Sequence, residues 1–331
     1  MKKPAFIIAL CAVVLSCSQN KTKQLIKFNG TALGTFYSIS YYDDKNRNFQ
    51  SEIDSLFKVF NHTLSIYDSS SLISKINNNE TQEPDAWFTY VFNRAKDIHK
   101  KTNGCFDPTV APLVNAWGFG FKNAENITPQ LIDSLLDFVG FDKINLTDGQ
   151  IIKDDARIML DFNAIAKGYC ADIAAKFLLE NGINSYLVEI GGEIASKGQK
   201  PDDSLWKIGI EEPTQNATDE QTVMQIIQLQ NKALATSGNY RKYFEKNGKR
   251  YAHTIDPKTG HPSENNLLSA TVLADDCITA DAFATAFMVM GLEDAFQYAQ
   301  KDSLIEAFFI YTDEHNMMKT KSTKGFEKYM E

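Results

Sequence analysis

Residues 279–287, TADAFATAF, read as a helix of alanines and phenylalanines with apolar residues on every side. Such a helix is stable only when the rest of the chain encloses it. Two polar groups interrupt it, the carboxylate of Asp281 and the hydroxyl of Thr285, and their four-residue spacing sets both on one helix face. A charge carried into a core has to be paired, hydrogen-bonded or bound to a metal. The chain therefore needs a core large enough to surround this helix and a partner for Asp281 inside it. With 331 residues, 43% of them hydrophobic, it can bury one large core or two fused lobes, and disorder is not indicated. A formal net charge of −8 argues against a nucleic-acid partner, or an anionic membrane surface, bound through bulk electrostatics. Any anionic ligand needs a local site.

The N-terminus, MKKPAFIIALCAVVLSCSQNKTK, has a basic start, a short apolar run and a small residue before Cys17. That is the layout of an export signal, and the run is too short to span a membrane. VLSC also resembles a bacterial lipoprotein processing site. The expected organisation is a signal peptide over residues 1–16, a lipid-anchored tether over 17–25 with the lipid on Cys17, and one folded domain over 26–331. The alternative is an ordinary signal peptide with an accidental cysteine. Cys105, Cys170 and Cys277 are an odd, scattered trio, neither a disulfide framework nor a zinc site, and read as small core residues.

Periodicity and punctuation give the elements. KFNGTALGTFYSISYY reads as a strand pair with glycine turns and FQSEIDSLFKVFNHTLSIYD as an amphipathic helix running into a loop. A long helix spans about 85–103, and a shorter one starts with Thr128 as cap and Pro129 at its first position. AIAKGYCADIAAKFLLENG is an alanine-rich helix stopped by Gly182; SYLVEI, WKIGIEEP, 267–274 and 304–312 read as strands, and the Asn-Gly of YFEKNGKRYAHTI as a hairpin turn. The helix after 279 is expected to continue past Gly291, and the lysine-rich C-terminus to be a solvated tail. Strand, helix and hairpin alternate without βαβ regularity, so the fold class is α+β, with mixed or antiparallel sheets and packed helices.

Four segments carry chemistry. In LDFNAIAKGY, Asp161 or Asn163 can cap a helix whose first turns hold Lys167 and Gly168, an arrangement suited to phosphate but equally to a plain capped helix. In AHTIDPKTGHP, turn chemistry accounts for Asp256, Pro257 and Gly260 but not for His253, which is either a satisfied core histidine or a general base. The paired glycines of EIGGEI permit a bulge or a close ligand approach. FDPTVAPLVNAWGFG, with Trp117 and Phe119, can wall a planar heterocycle or fill a core gap. No phosphate-binding P-loop or dinucleotide fingerprint is present.

In order along the chain, GTALGTFYSI, LSIYDSSSLISKIN, GCFDPTVAPLVNAWGFG, LDFNAIAKGY, LVEIGGEI, ALATSGNYRKYFE, HTIDPKTGHP and ADAFATAFMVMG resemble the ApbE family, the FAD:protein FMN transferases, from about Gly30 to Asp313. The resemblance implies a compact two-lobed catalytic unit related to the T-fold. It implies magnesium-dependent transfer of FMN from FAD to a threonine or serine hydroxyl of an acceptor protein, with release of AMP. It further implies export and a lipid anchor on the bacterial cell membrane, facing the periplasm or outside, with an acceptor flavoprotein subunit of a membrane or exported redox system. Carried over residue by residue, Ala164 (through its carbonyl), Asp281 and Thr285 would hold Mg2+. Leu33, Tyr67, Trp117, Gly118, Phe119, Asp161, Lys167, His253 and Ile255 would hold FAD. His253 is the candidate base, with Asp161 or Asp256 second. Leu33 replaces a methionine common among relatives, and Ala284 stands where some carry another acidic ligand. The rival readings are an FAD pyrophosphatase giving FMN and AMP, and a flavin-binding lipoprotein without chemistry.

Overall fold

The computed structural model describes residues 23–119, 127–214, 222–239 and 254–331, together with the backbone of a hairpin at 243–246 and 249–252. Its strands are β1 (Gln24–Ala32), β2 (Thr35–Asp43), β3 (Ile144–Thr147), β4 (Gln150–Lys153), β5 (Tyr186–Ile190), β6 (Glu193–Lys197) and β7 (Trp206–Glu211). They continue as β8 (Val223–Leu229), β9 (Ala233–Gly238), β10 (Tyr243–Lys246), β11 (Lys249–Ala252), β12 (Leu267–Ala274), β13 (Glu306–Thr312) and β14 (Met318–Ser322). The helices are α1 (Gln50–Leu64), α2 (Leu72–Asn77), α3 (Ala86–Lys101), α4 (Ala111–Ala116), α5 (Pro129–Leu136), α6 (Asn163–Glu180), α7 (Cys277–Met290) and α8 (Leu292–Lys301).

One antiparallel sheet of order β1-β2-β5-β6-β9-β12-β13-β14 organises the molecule, with β3–β4, β7–β8 and β10–β11 as separate two-stranded sheets. Its central strands are apolar on both faces because both are covered. Val272 and Phe309 belong to the main core, under α7 and α8. The intervening Leu273, Phe308 and Ile310 belong to a second core closed by Trp206, Ile210, Ile227 and Leu229 of the β7–β8 hairpin. β2 shows the same period of two, burying Tyr37, Ile39, Tyr41 and Asp43. On α1, Ile53, Phe57, Phe60 and Leu64 form the apolar stripe that seats it. A third cluster of Leu113, Trp117, Ile132, Val139 and Ile255 stands apart from both.

α7 is buried nearly all round, as its composition requires: β9 and β12 lie beneath it, with α6, α3 and α8 about it. Asp276 caps α7, accepting the Thr279 N–H at 3.0 Å, so Asp281 lies in the second turn. Two local expectations are corrected. The helix does not run through Gly291: at φ 77° that residue ends α7 and α8 starts afresh, burying Leu292, Ala295 and Ala299. The C-terminus is no tail, since β14 pairs with β13 and Phe326 is fully buried; lysines mark the exposed side of an edge strand there. Among the described residues no helix is long and apolar enough to cross a membrane.

Several elements end at one edge of the sheet. The β1–β2 turn at Leu33–Gly34 and the β5–β6 turn at Gly191–Gly192 are neighbours, with the Gly191 N–H donating to the Phe36 carbonyl at 2.9 Å. Ile194 pairs with Leu234, so β9 carries Ser237 past Glu193 to the same edge. Both residues of the first turn have positive φ, 51° at Leu33 and 73° at Gly34, as a tight hairpin turn demands. For leucine that conformation costs roughly 1–2 kcal/mol.

Candidate active site

α6 and α7 cross in direct contact at Gly168. A methyl group there would lie 2.3 Å from the Cys277 carbonyl oxygen and 2.8 Å from Asp281 Cβ, so only glycine fits. The two helices exchange hydrogen bonds across this point. The Gly168 N–H donates to Asp281 Oδ2 at 2.9 Å. One turn on, Asp172 accepts from the Cys277 and Ile278 N–H groups at 2.8 and 2.9 Å and so caps the start of α7 from outside.

Asp281 is 3% exposed, and burial raises its pKa while Lys167 pulls it back. The Gly168 amide that binds it is the one a regular helix directs at the Ala164 carbonyl. Thr285, one turn along the same face of α7, lies 3.1 Å from Ser237 at the end of β9, hydroxyl to hydroxyl. Carboxylate, hydroxyl and carbonyl are hard oxygen donors of the kind a magnesium-type cation takes. No group of three His, Cys, Asp or Glu gathers among the described residues; the donors on this face are one carboxylate and neutral oxygens. Ala284 is fully buried and adds no side-chain donor.

Lys167 is turned onto Glu193, with which it forms an ion pair, leaving its side chain about a third exposed. Burial works against its charge, and the carboxylates of Glu193 and Asp281 outweigh it, so the ammonium is held more firmly than in water. Burial pushes the Glu193 carboxyl up, and the Lys167 ammonium beside it pulls it back down. Glu193 is a residue that sequence reasoning missed. The signal was there: a two-residue turn at Gly191–Gly192 fixes the register, and alternation sets Glu193 on the same face as Ala195.

Neither Asp161 nor Asn163 caps α6 in the expected way; the cap position is Phe162, and Asp161 Oδ1 accepts the Asn163 N–H at 2.8 Å. The backbone around Asp161 is clamped from two distant segments. Its N–H donates to the Pro108 carbonyl at 2.8 Å. Asn77 pairs with both backbone groups of Leu160, at 2.9 and 2.8 Å, which gives the SSLISKIN segment its purpose. The Pro108 loop is set in turn by buried Asp107, which accepts from Thr109 and from the Phe141 N–H. Tyr67, 67% exposed, lies with its hydroxyl 3.5 Å from Asn163 Nδ2.

Trp117 is 6% exposed, donates from Nε1 to the Gly260 carbonyl at 2.9 Å, and shares the third cluster with Ile255. Gly118 takes φ 81°, and the Phe119 N–H returns to the Val114 carbonyl at 3.0 Å. Asp256 is committed to its own turn, accepting the Lys258 N–H at 2.9 Å. The structure thus brings Asp281, Gly168, Lys167 and Glu193 into one contact group and Tyr67, Asn163 and Asp161 into another. Trp117 and Ile255 sit in the separate third cluster, and Leu33 lies in its turn at the sheet edge. Cys17 and His253, with neighbouring Tyr240 and Arg241, lie outside the described residues.

A model of the ApbE family matches residues 33–309. The chain belongs to the ApbE family. A Haemophilus influenzae relative named FAD:protein FMN transferase is 38% identical over 349 aligned positions that cover 100% of this chain and 99% of the relative. A Vibrio cholerae relative of the same name is 35% identical, covering 98% of this chain and 96% of its own. The apo crystal structure of the Pseudomonas stutzeri flavinyl transferase ApbE superposes with a TM-score of 0.84 at 31% identity, covering 93% of this chain and 97% of that one. The ApbE fold is therefore an α+β fold carried on one antiparallel sheet, and the expected fold class holds.

Proposed function

We propose that the site moves FMN from FAD onto a threonine or serine hydroxyl of an acceptor protein, releases AMP, and depends on a divalent cation, magnesium first. The chain is a transferase of the FAD:protein FMN transferase kind, as its full-length similarity to the relatives of that name supports. The observation that carries the finer reading is the clasp between Gly168 and Asp281. It holds a buried carboxylate beside Thr285 and the second turn of α6, where a hard cation and a diphosphate would meet.

Asp281, Thr285 and the Ala164 carbonyl would hold the cation, which when bound supplies positive charge to a crowded diphosphate. Lys167 adds a second positive charge, held in the buried site by Glu193. Tyr67, Leu33 and the Trp117–Phe119 turn cover the ring systems, and Asp161 accepts from a hydroxyl or amine donor of FAD. The acceptor oxygen attacks the phosphorus on the riboflavin side. The new P–O bond forms as the bond to the AMP phosphate breaks, and the acceptor's proton passes to a base, for which His253 is the candidate.

We place the protein outside the cytoplasm on a lipid attached to Cys17, with an acceptor flavoprotein of a membrane or exported redox system as its partner; Cys17→Ala should move it from the membrane to the soluble fraction. Incubation with FAD, magnesium and an acceptor protein should raise the acceptor's mass by that of an FMN group. AMP release at full rate without acceptor, and no mass gain with a validated one, would replace transfer by FAD hydrolysis.

A further inference from the structure

We infer that Glu193 is a positioning residue of the cation site, acting through Lys167 and through water bound to the cation. This rests on the assignment of Asp281, Thr285 and Ala164 as the cation's donors. Glu193 opens β6 immediately after a turn whose two glycines have φ 63° and 103°, so its place at the sheet edge is set by the hairpin. It is 3% exposed. One carboxylate oxygen is taken by Lys167. The other, Oε2, is buried and has no hydrogen-bond partner among the described residues. A buried carboxylate oxygen left without a donor is costly and needs a reason to be kept.

The neighbourhood supplies one. Lys167 adjoins Gly168, whose amide holds Asp281, and Asp281 and Glu193 lie close enough to repel each other. Charge therefore alternates from Asp281 to Lys167 to Glu193. A magnesium-type cation keeps several of its waters, and those waters are strong donors that need acceptors around the site. Oδ2 of Asp281 already accepts from Gly168. Glu193 Oε2 is a buried carboxylate oxygen beside it with accepting capacity to spare. Lys167 also repels a cation at Asp281 unless its charge is balanced, and Glu193 balances it. Both routes have one sign: removing the Glu193 charge while keeping its shape weakens cation binding.

The test is an Mn2+ titration of the intact protein without FAD, read by the loss of the free-ion electron paramagnetic resonance signal. Glu193→Gln should weaken Mn2+ binding about 10- to 100-fold, the usual effect of losing an outer-shell partner. The double variant Lys167→Met/Glu193→Gln should bind more tightly than Glu193→Gln, because the unbalanced ammonium is gone, yet more weakly than the wild type, because the water acceptor is still missing. A purely structural role predicts the opposite order, with the double variant weakest. If Glu193→Gln does not fold, the double variant, which exchanges a half-buried ion pair for neutral groups, still decides. Wild-type Mn2+ affinity in either variant overturns the inference. Equal Mn2+ binding by Asp281→Asn and wild type would instead overturn the cation assignment, and the inference with it.

Discussion

Gly168→Ala tests the contact on which the rest of the site depends. The added methyl meets the Cys277 carbonyl oxygen at 2.3 Å and Asp281 Cβ at 2.8 Å, and the first of these is backbone that no rotamer change can move. Ordinary contact requires α6 and α7 to separate by roughly 1 Å, an overpacking that costs about 1–3 kcal/mol. That separation stretches the 2.9 Å bond from the Gly168 N–H to Asp281 and leaves a buried carboxylate short of a donor, for about 1–3 kcal/mol more. The total is about 2–6 kcal/mol. At about 1.5 °C per kcal/mol for a chain of 331 residues, the midpoint of thermal unfolding should fall by roughly 3–9 °C. Mn2+ affinity should fall with it, since Asp281 is the displaced group. Alanine is the better helix former, so propensity alone predicts a gain of about 1 kcal/mol. A melting midpoint at or above that of the wild type, with unchanged Mn2+ binding, would refute the close contact and the role assigned to the glycine.

Asp281→Ala should abolish cation-dependent FMN transfer measured as acceptor mass gain, and undiminished transfer would remove it as a ligand. Asn77→Ala deletes both bonds to Leu160 and should cost about 1–3 kcal/mol of stability in denaturant unfolding together with FAD affinity, measured by flavin fluorescence. Tyr67→Ala removes a ring that is 67% exposed, so it should leave the unfolding midpoint in place while weakening FAD binding by about 0.5–1.5 kcal/mol. Burial pushes the Asp172 carboxyl up to about 7 from an ordinary 3.8, so between about pH 4 and 7 the folded state holds a proton that the unfolded state has lost. That contribution to stability is complete below pH 4 and is lost as the pH rises through 7; Asp172→Asn should flatten stability over this window, and an unchanged profile would show that Asp172 does not titrate there.

Local features of this fold were legible because local chemistry decides them. Thr128 does cap α5, accepting the Leu131 N–H at 3.2 Å. The strands on either side of the Asn-Gly signal do pair antiparallel, Lys246 opposite Lys249, while Asn247 and Gly248 themselves lie outside the described residues. Phe326 shows where such local patterns stop: a strand of alternating lysines looks solvated until it is seen to fold back on β13 at the sheet edge, with a buried ring anchoring the chain just beyond. The strand order is likewise set by pairings across long stretches of chain, β2 with β5 and β6 with β9, that no local pattern announces.

The candidate site divides in the same way. Asp281 and Thr285 stand out in the sequence because a charge inside an apolar helix has few explanations. Gly168 and Asp172 are four residues apart on α6, which already places them on one face. What the sequence does not state is that this face meets α7, with Gly168 giving its amide to Asp281 and Asp172 taking two amides at the start of that helix. Each helix thereby supplies the other with the partner its own sequence leaves missing. A buried carboxylate whose donor lies 113 residues away cannot be read as satisfied from its own segment. The same holds for Glu193, whose free oxygen acquires a meaning only beside Lys167 and Asp281. Residues that complete a site through a neighbour, rather than by touching the ligand, are therefore the ones a linear reading loses first.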